Sequence, residues 1–203
     1  IMVSNTSSLP ITKLAEATGR RDRVAGMHFF NPPTRMPLVE LVRGKYMSEE
    51  TLKIIEDFAR STLEKKTIRV KDQPGFLVNC LLVPYLNEAL LGVEEARVAP
   101  EAIDEEARKH GWPMGPFTLL DFVGIDVTVD VARFLTESYG DRMKMGTLLG
   151  EMLKLGRIGD KAGVGFYSND ESKEPVGNIL ERLYPNRRAD VSATNIFERM
   201  MSG

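Results

Sequence analysis

The 203-residue sequence has little of several things, and each shortage closes off a class of function. It has a single cysteine, Cys80, so an internal disulfide and a cysteine-based zinc site are both excluded. It has no surplus of charge: 27 Lys+Arg stand against 29 Asp+Glu, a formal net charge of -2. That balance speaks against a polybasic nucleic-acid surface or an acidic tail as its theme. It has no long apolar run either. The stretch 77–93 comes nearest and is broken by Asn79, Pro84, Asn87 and Glu88, so no membrane span is expected. No G-x-G-x-x-G and no G-x-x-x-x-G-K-[ST] occurs, so the usual glycine cradles for phosphate are missing. The first residues do not read as a basic-then-apolar leader, and a reducing, cytoplasmic compartment is the expectation.

What is there is an ordinary globular composition, 42% hydrophobic and 28% charged, with enough apolar side chain for a core. The first seventy residues alternate short strands and helices. Apolar runs at 24–30 and 36–42 read as strands, the first stopped by Asn31-Pro32-Pro33, where proline fixes a turn. Ser48 and two acidic residues open a helix with apolar residues at helical spacing, and 66–71 reads as a further strand. The opening Ile1-Met2-Val3 looks like part of another. After Pro74 the apolar residues recur at three and four, which predicts helices over 77–95, 100–110, 116–139 with a break near Gly124, and 147–155. The fold class is α+β by content: an α/β piece over 1–73, an all-helical piece over 74–168, and a linker over 169–203 that ends in an isolated helical segment without partners.

The two histidines carry different weight. His110 ends a polar helix, where a cation suits the dipole, and reads as structural. His28 interrupts an apolar strand just before a turn, and in open α/β sheets ligands sit at the carboxyl ends of strands. Glu40, twelve residues on, is a lone carboxylate in the next strand-like run, a costly placement unless its charge is paired. A His28–Glu40 dyad would meet both needs and make the imidazole a better base. The bland alternative is a satisfied core histidine beside an edge-strand glutamate pointing to water.

Other polar residues leave a choice of the same kind. The hydroxyls of Ser4 to Ser8 either face a site or cap the helix before Leu14, a task open to Ser7 or Ser8. Asn31 turns its amide to the site or serves the turn. Asn79, polar in an apolar helix, needs a partner or bonds back to the preceding turn. The glycine-rich 159–165 segment is a flexible turn, or it carries Lys161 to a phosphate or ribose. No metal-ligating cluster is read.

Five motifs are similar to those of one family, the L-3-hydroxyacyl-CoA dehydrogenases. They are Ser4-Asn5-Thr6-Ser7-Ser8-Leu9-Pro10-Ile11; Gly26-Met27-His28-Phe29-Phe30-Asn31-Pro32-Pro33 running on to Met36-Pro37-Leu38-Val39-Glu40; Asp72-Gln73-Pro74-Gly75-Phe76-Leu77-Val78-Asn79; Gly111-Trp112-Pro113-Met114-Gly115-Pro116; and Gly163-Val164-Gly165-Phe166-Tyr167. The match is collinear from Ser4 to about Ser168. The resemblance implies the C-terminal portion of a Rossmann-type NAD domain over 1–73, then a 6-phosphogluconate-dehydrogenase-like helical domain over 74–168, then the start of a truncated second helical repeat. It implies His28 as general base with Glu40 its partner, Ser7 and Asn79 on the 3-hydroxyacyl-CoA substrate, and Ser7, Asn31 and Lys161 against NAD.

The wording around Trp112 looks most like the bacterial-type multifunctional α-subunit of fatty-acid oxidation. The implied partners are a second copy through the helical domain or a thiolase subunit. The family's βαβ unit with its glycine fingerprint should precede Ser4, so the expectation is a fragment with little activity alone and less stability than its composition suggests. Two other readings stay open: a non-catalytic helical dimerisation or docking module, and a dehydrogenase of the same plan with another substrate.

Overall fold

The alternation of side chains along the two central strands decides how the first part of the chain is layered. A computed structural model describes residues 1–7 and 9–202, which divide into two units, Ile1–Cys80 and Leu81–Gly203. The first unit holds a four-stranded sheet in the order β1-β2-β3-β4. β1 (Met2–Ser4) runs parallel to β2 (Val24–Phe29), β2 is antiparallel to β3 (Leu38–Arg43), and β3 is parallel to β4 (Lys66–Lys71). Ile1, Met2 and Val3 are exposed along the β1 edge.

Successive side chains of a strand point to opposite faces, and here each face has its own cover. Ala25, Met27, Val39 and Leu41 meet Leu52, Ile55 and Ala59 of α2 (Glu49–Ser61). That helix starts where the sequence predicts, with the Ser48 hydroxyl accepting the Thr51 N–H at 3.1 Å. Val24 and Val42 face the other way, onto Ile11 and Ala15 of α1 (Ile11–Glu16) and onto Phe76. Gly26 lies on this second face. A Cβ there would come within 2.7 Å of the Val42 Cβ and 2.9 Å of the Ile11 Cδ1, so α1 can seat this closely only on a glycine.

The cap of α1 goes against one of the two readings of the serine loop, that Ser7 or Ser8 caps this helix. Pro10 stands at the cap position with no side-chain bond. The carboxylate of Asp72 serves instead, accepting the N–H groups of Ile11 at 2.8 Å and Thr12 at 2.7 Å. Ser8 lies outside the described residues.

The second unit is helical. α3 (Val78–Glu95) starts in the first unit and continues here, with Pro84 inside it; α4 (Pro100–Lys109), α5 (Pro116–Val123), α6 (Ile125–Tyr139) and α7 (Leu148–Lys154) follow. The predicted break near Gly124 is a full boundary, because the left-handed φ of 101° at that glycine ends α5 and α6 starts anew. The C-terminal segment is not isolated. α8 (Val176–Leu183) buries Val176, Ile179 and Leu180, and α9 (Ala193–Ser202) buries Ile196, Phe197 and Met200; all but Ile179 join the same core as Leu90, Leu120 and Leu149. Ile196 sits on Gly92, where a Cβ would meet it at 2.5 Å, and Arg199 pairs with Glu88 and Glu95. Among the described residues no helix is long and apolar enough to cross a membrane.

Candidate active site

The antiparallel register of β2 and β3 sets His28 directly opposite Glu40. Opposed residues share a face, so the two side chains meet: His28 Nδ1 lies 2.6 Å from Glu40 Oε2. β3 is an interior strand and Glu40 is fully buried, which removes the alternative of an edge glutamate pointing to water. A carboxylate in its ionised form only accepts hydrogen bonds, so opposite ionised Glu40 the ring hydrogen is assigned to Nδ1, which makes Nε2 the basic nitrogen of the neutral ring. The imidazole, 7% exposed, is walled by Phe30, edge-on at 4.9 Å, and by Phe76 at 5.5 Å.

The other carboxylate oxygen is held by backbone. Glu40 Oε1 accepts the N–H groups of Leu77 and Val78, each at 2.9 Å, where α3 begins. Those amides follow two consecutive left-handed residues, Gly75 with φ of 74° and Phe76 with φ of 51°. For a bulky residue that conformation costs on the order of 1–2 kcal/mol. Burying the phenyl ring, which is 2% exposed in the α1-side cluster, returns roughly 1.5–3 kcal/mol. Packing therefore supports the turn that serves the carboxylate.

The remaining expected site residues divide between the two units. Asn5 ties the loop after β1 to the end of β2, its side-chain oxygen accepting the Phe29 N–H at 2.9 Å. That bond holds the half-buried Ser7 on a loop anchored next to His28 in sequence. Asn31 is exposed in the turn after β2, and Asn79 is half-buried in the first turn of α3, next to Val78. Lys161 belongs to the helical unit, where its Nζ lies 2.6 Å from Asp126 Oδ2 and holds that carboxyl below its usual range.

The glycine-rich segment around Lys161 is anchored on both sides of that lysine. Asp121 accepts the N–H groups of Phe166 and Tyr167, each at 2.8 Å, and a Cβ on Gly159 would come within 2.4 Å of the Asp121 carbonyl oxygen. The glycines admit the chain to a buried carboxylate, whose pKa burial pushes up. His110 closes α4, with Nδ1 2.9 Å from the Glu106 carbonyl and its ring stacked on Phe197 at 4.5 Å. No three His, Cys, Asp or Glu side chains among the described residues group as a metal site.

Sequence reasoning missed three contributors here: Asn5, the Leu77–Val78 amide pair, and Phe76. Asn5 was readable only as part of a polar loop. The amides carry no side-chain signal at all.

Comparison with known proteins bears on the whole arrangement. Residues 1–73 match the NAD binding domain of 3-hydroxyacyl-CoA dehydrogenase, and residues 75–169 match the C-terminal domain of the same family. A probable 3-hydroxybutyryl-CoA dehydrogenase of Deinococcus radiodurans is 44% identical over 171 residues, covering 82% of this chain and 60% of the relative. The fatty acid oxidation complex subunit alpha of Acinetobacter baylyi is 38% identical over 213 residues, covering 99% of this chain and 29% of the relative. Among solved structures, (S)-3-hydroxybutyryl-CoA dehydrogenase from Ralstonia eutropha is 42% identical with a TM-score of 0.79, over 84% of this chain and 61% of that one. The chain thus spans about 60% of the length of the dehydrogenases from Deinococcus and Ralstonia.

Proposed function

The chain belongs to the 3-hydroxyacyl-CoA dehydrogenase family, and from that premise we propose that it supplies the catalytic dyad for oxidation of L-3-hydroxyacyl-CoA to 3-oxoacyl-CoA with NAD, in fatty-acid degradation. The observation that carries this reading is the buried 2.6 Å contact between His28 and Glu40. Because Glu40 takes the Nδ1 hydrogen, His28 Nε2 accepts the proton of the 3-hydroxyl. The adjacent carboxylate then stabilises the imidazolium that forms. NAD, when bound, accepts the hydride from C3.

The donor set fits the nicotinamide end of the cofactor. β1 and β2 run parallel, so the loops bearing Ser7 and Asn31 follow strand ends that open on the same side, the side where dinucleotides lie on such sheets. Ser7 and Asn31 are assigned to the cofactor, and Ser7 and Asn79 to the substrate oxygen. No glycine fingerprint occurs in the 203 residues, so no residue here is assigned to the pyrophosphate. Lys161 enters the proposal through the resemblance, as the counterpart of a family lysine near the cofactor. Relatives named as subunits of a fatty acid oxidation complex support assembly with other subunits; the partner proposed is a second copy through the helical unit or a thiolase subunit, and the compartment proposed is the cytoplasm.

NADH formation from 3-hydroxybutyryl-CoA tests the reading, measured on the chain alone and on the chain joined behind the family's βαβ unit. The joined protein is expected to turn over and the chain alone to show little activity. A folded joined protein inert toward every 3-hydroxyacyl-CoA tried would remove the assignment.

A further inference from the structure

Resting on the dyad reading above, we propose that Phe76 is a positioning residue for the reaction. Its left-handed backbone, following that of Gly75, aims the amides of Leu77 and Val78 at one oxygen of Glu40 and thereby directs the other oxygen at His28.

The geometry is specific. Both N–H groups fall on the same atom, Oε1, each at 2.9 Å. Two donors from fixed backbone on one oxygen set the plane of the carboxylate, and Oε2 is left with the imidazole at 2.6 Å. The left-handed turn at Gly75 and Phe76 sets the direction in which the chain enters α3, and the two amides that follow it both reach Oε1. The turn is further tied by the Phe76 N–H to the Gln73 carbonyl at 3.0 Å, and by the Gln73 side-chain amide, which donates to the Phe76 carbonyl at 3.3 Å.

A glycine at position 76 would adopt the same φ with less strain, yet it would have nothing to hold it there. The phenyl ring packs with Ile11, Ala15, Val24 and Val42 and lies tilted to the imidazole at a centroid distance of 5.5 Å. It anchors the turn to the same face that carries the dyad. One residue therefore couples the α1-side core to the orientation of the carboxylate, without touching substrate.

The test uses two isomeric substitutions that separate backbone from bulk. Ile is β-branched and opposes a positive φ more strongly than Leu does. In the protein joined behind the βαβ unit, Phe76→Ile is expected to lower kcat by about 10-fold to 100-fold, the scale of a misplaced catalytic group. KM should stay within about threefold, because the lost effect belongs to the transition state. Phe76→Leu should rescue most of the loss. The second readout is the His28 Nδ1–H resonance in the 15N-labelled chain, which should persist in Phe76→Leu and shift or exchange away in Phe76→Ile. Gly75→Ala, a single methyl at the other left-handed position, is expected to act like Phe76→Ile and stands in for it if that variant does not fold. Equal kcat in the Ile and Leu variants, with an unchanged imidazole resonance in folded Phe76→Ile or Gly75→Ala, would overturn the proposal. If the wild type shows no turnover while the resonance responds as described, the dehydrogenase reading falls and the positioning role stands.

Discussion

Glu40 in the α/β unit and Asp104 in the helical unit do the same structural task, and the difference between them separates a working carboxylate from a supporting one. Both are buried, Asp104 at 1% exposure and Glu40 at 0%. Both accept two consecutive backbone N–H groups at the start of a helix remote in sequence. Asp104 spends both oxygens on this: Phe117 N–H reaches Oδ1 at 2.8 Å, and Oδ2 takes the Thr118 N–H, the Thr118 hydroxyl and the Tyr167 hydroxyl. Its partners are two amides and two hydroxyls, and burial together with Asp104 itself pushes the Tyr167 phenol up, so it keeps its proton. Glu40 has both amides on one oxygen, and its second oxygen holds an imidazole whose far nitrogen remains free for a proton. A buried carboxylate becomes part of a reaction when its last partner can itself change protonation state.

The comparison can be broken most sharply at His28. His28→Ala is expected to lower kcat in the joined, active protein by about 10²- to 10⁴-fold, the range that general-base catalysis supplies; a kcat close to wild type would mean that Glu40 is only another helix cap. Glu40→Gln comes next. The glutamine oxygen can still receive the two amides, but its NH₂ then faces Nδ1, moves the ring hydrogen to Nε2 and removes the base. Loss of about 10²-fold or more in kcat is expected, as for other wrong-tautomer dyads, with the fold retained by circular dichroism.

Asp104→Asn should do the reverse. It places an NH₂ against either the buried Phe117 N–H or the half-buried Thr118 N–H and leaves that donor unsatisfied, at roughly 1–3 kcal/mol, read as a lower urea midpoint. Turnover per folded molecule should not change. A large fall in kcat in fully folded Asp104→Asn would show that the helical unit's carboxylate is not merely supporting.

The smallest expected effect is in acid dependence, where Glu56 of the first unit and the buried Asp121 and Glu94 of the second should act with opposite signs. A hydrogen bond from Arg69, with the charge of Arg60 helping, holds Glu56 below its ordinary 4.5. Glu56 therefore binds fewer protons folded than unfolded; its contribution is complete above about 4.5 and is lost as pH falls through the lowered folded value. Arg69 is about half exposed, so the amount is under about 1 kcal/mol. Burial raises Asp121 and Glu94 instead. These groups bind more protons folded than unfolded, so their contribution grows as pH falls through the raised folded values. Urea titrations at neutral and acid pH should show Glu56→Gln with a weaker acid loss than wild type, and Asp121→Asn with a weaker acid gain. Identical pH dependence in all three proteins would cancel this part of the contrast.

Much of this was open to inspection in the residues. Ser48 with its acidic first turn marked α2, Pro100 marked α4, and Gly124 marked a break, because caps and breakers act within a few residues. α8 is legible in the same way, since Val176, Ile179, Leu180 and Leu183 keep helical spacing behind a polar linker. α9 was read correctly as a helix and wrongly as unpartnered. Spacing shows that an apolar face exists and says nothing of what covers it.

The chemistry divides along the same line. His28 and Glu40 stood out as polar residues in apolar strands, a cost that local sequence exposes directly. Their meeting depended on register, since a slip of one residue would have put them on opposite faces. Sequence alone determined the residue types, the strand and helix periods, and the family motifs that bring them together. Only the tertiary structure decided which oxygen of Glu40 faces the imidazole, that Asp72 and not a local serine caps α1, and that a left-handed phenylalanine aims the amides. Those depend on backbone donors contributed from dozens of residues away, and a backbone N–H is the same at every position of the chain until folding gives it a direction.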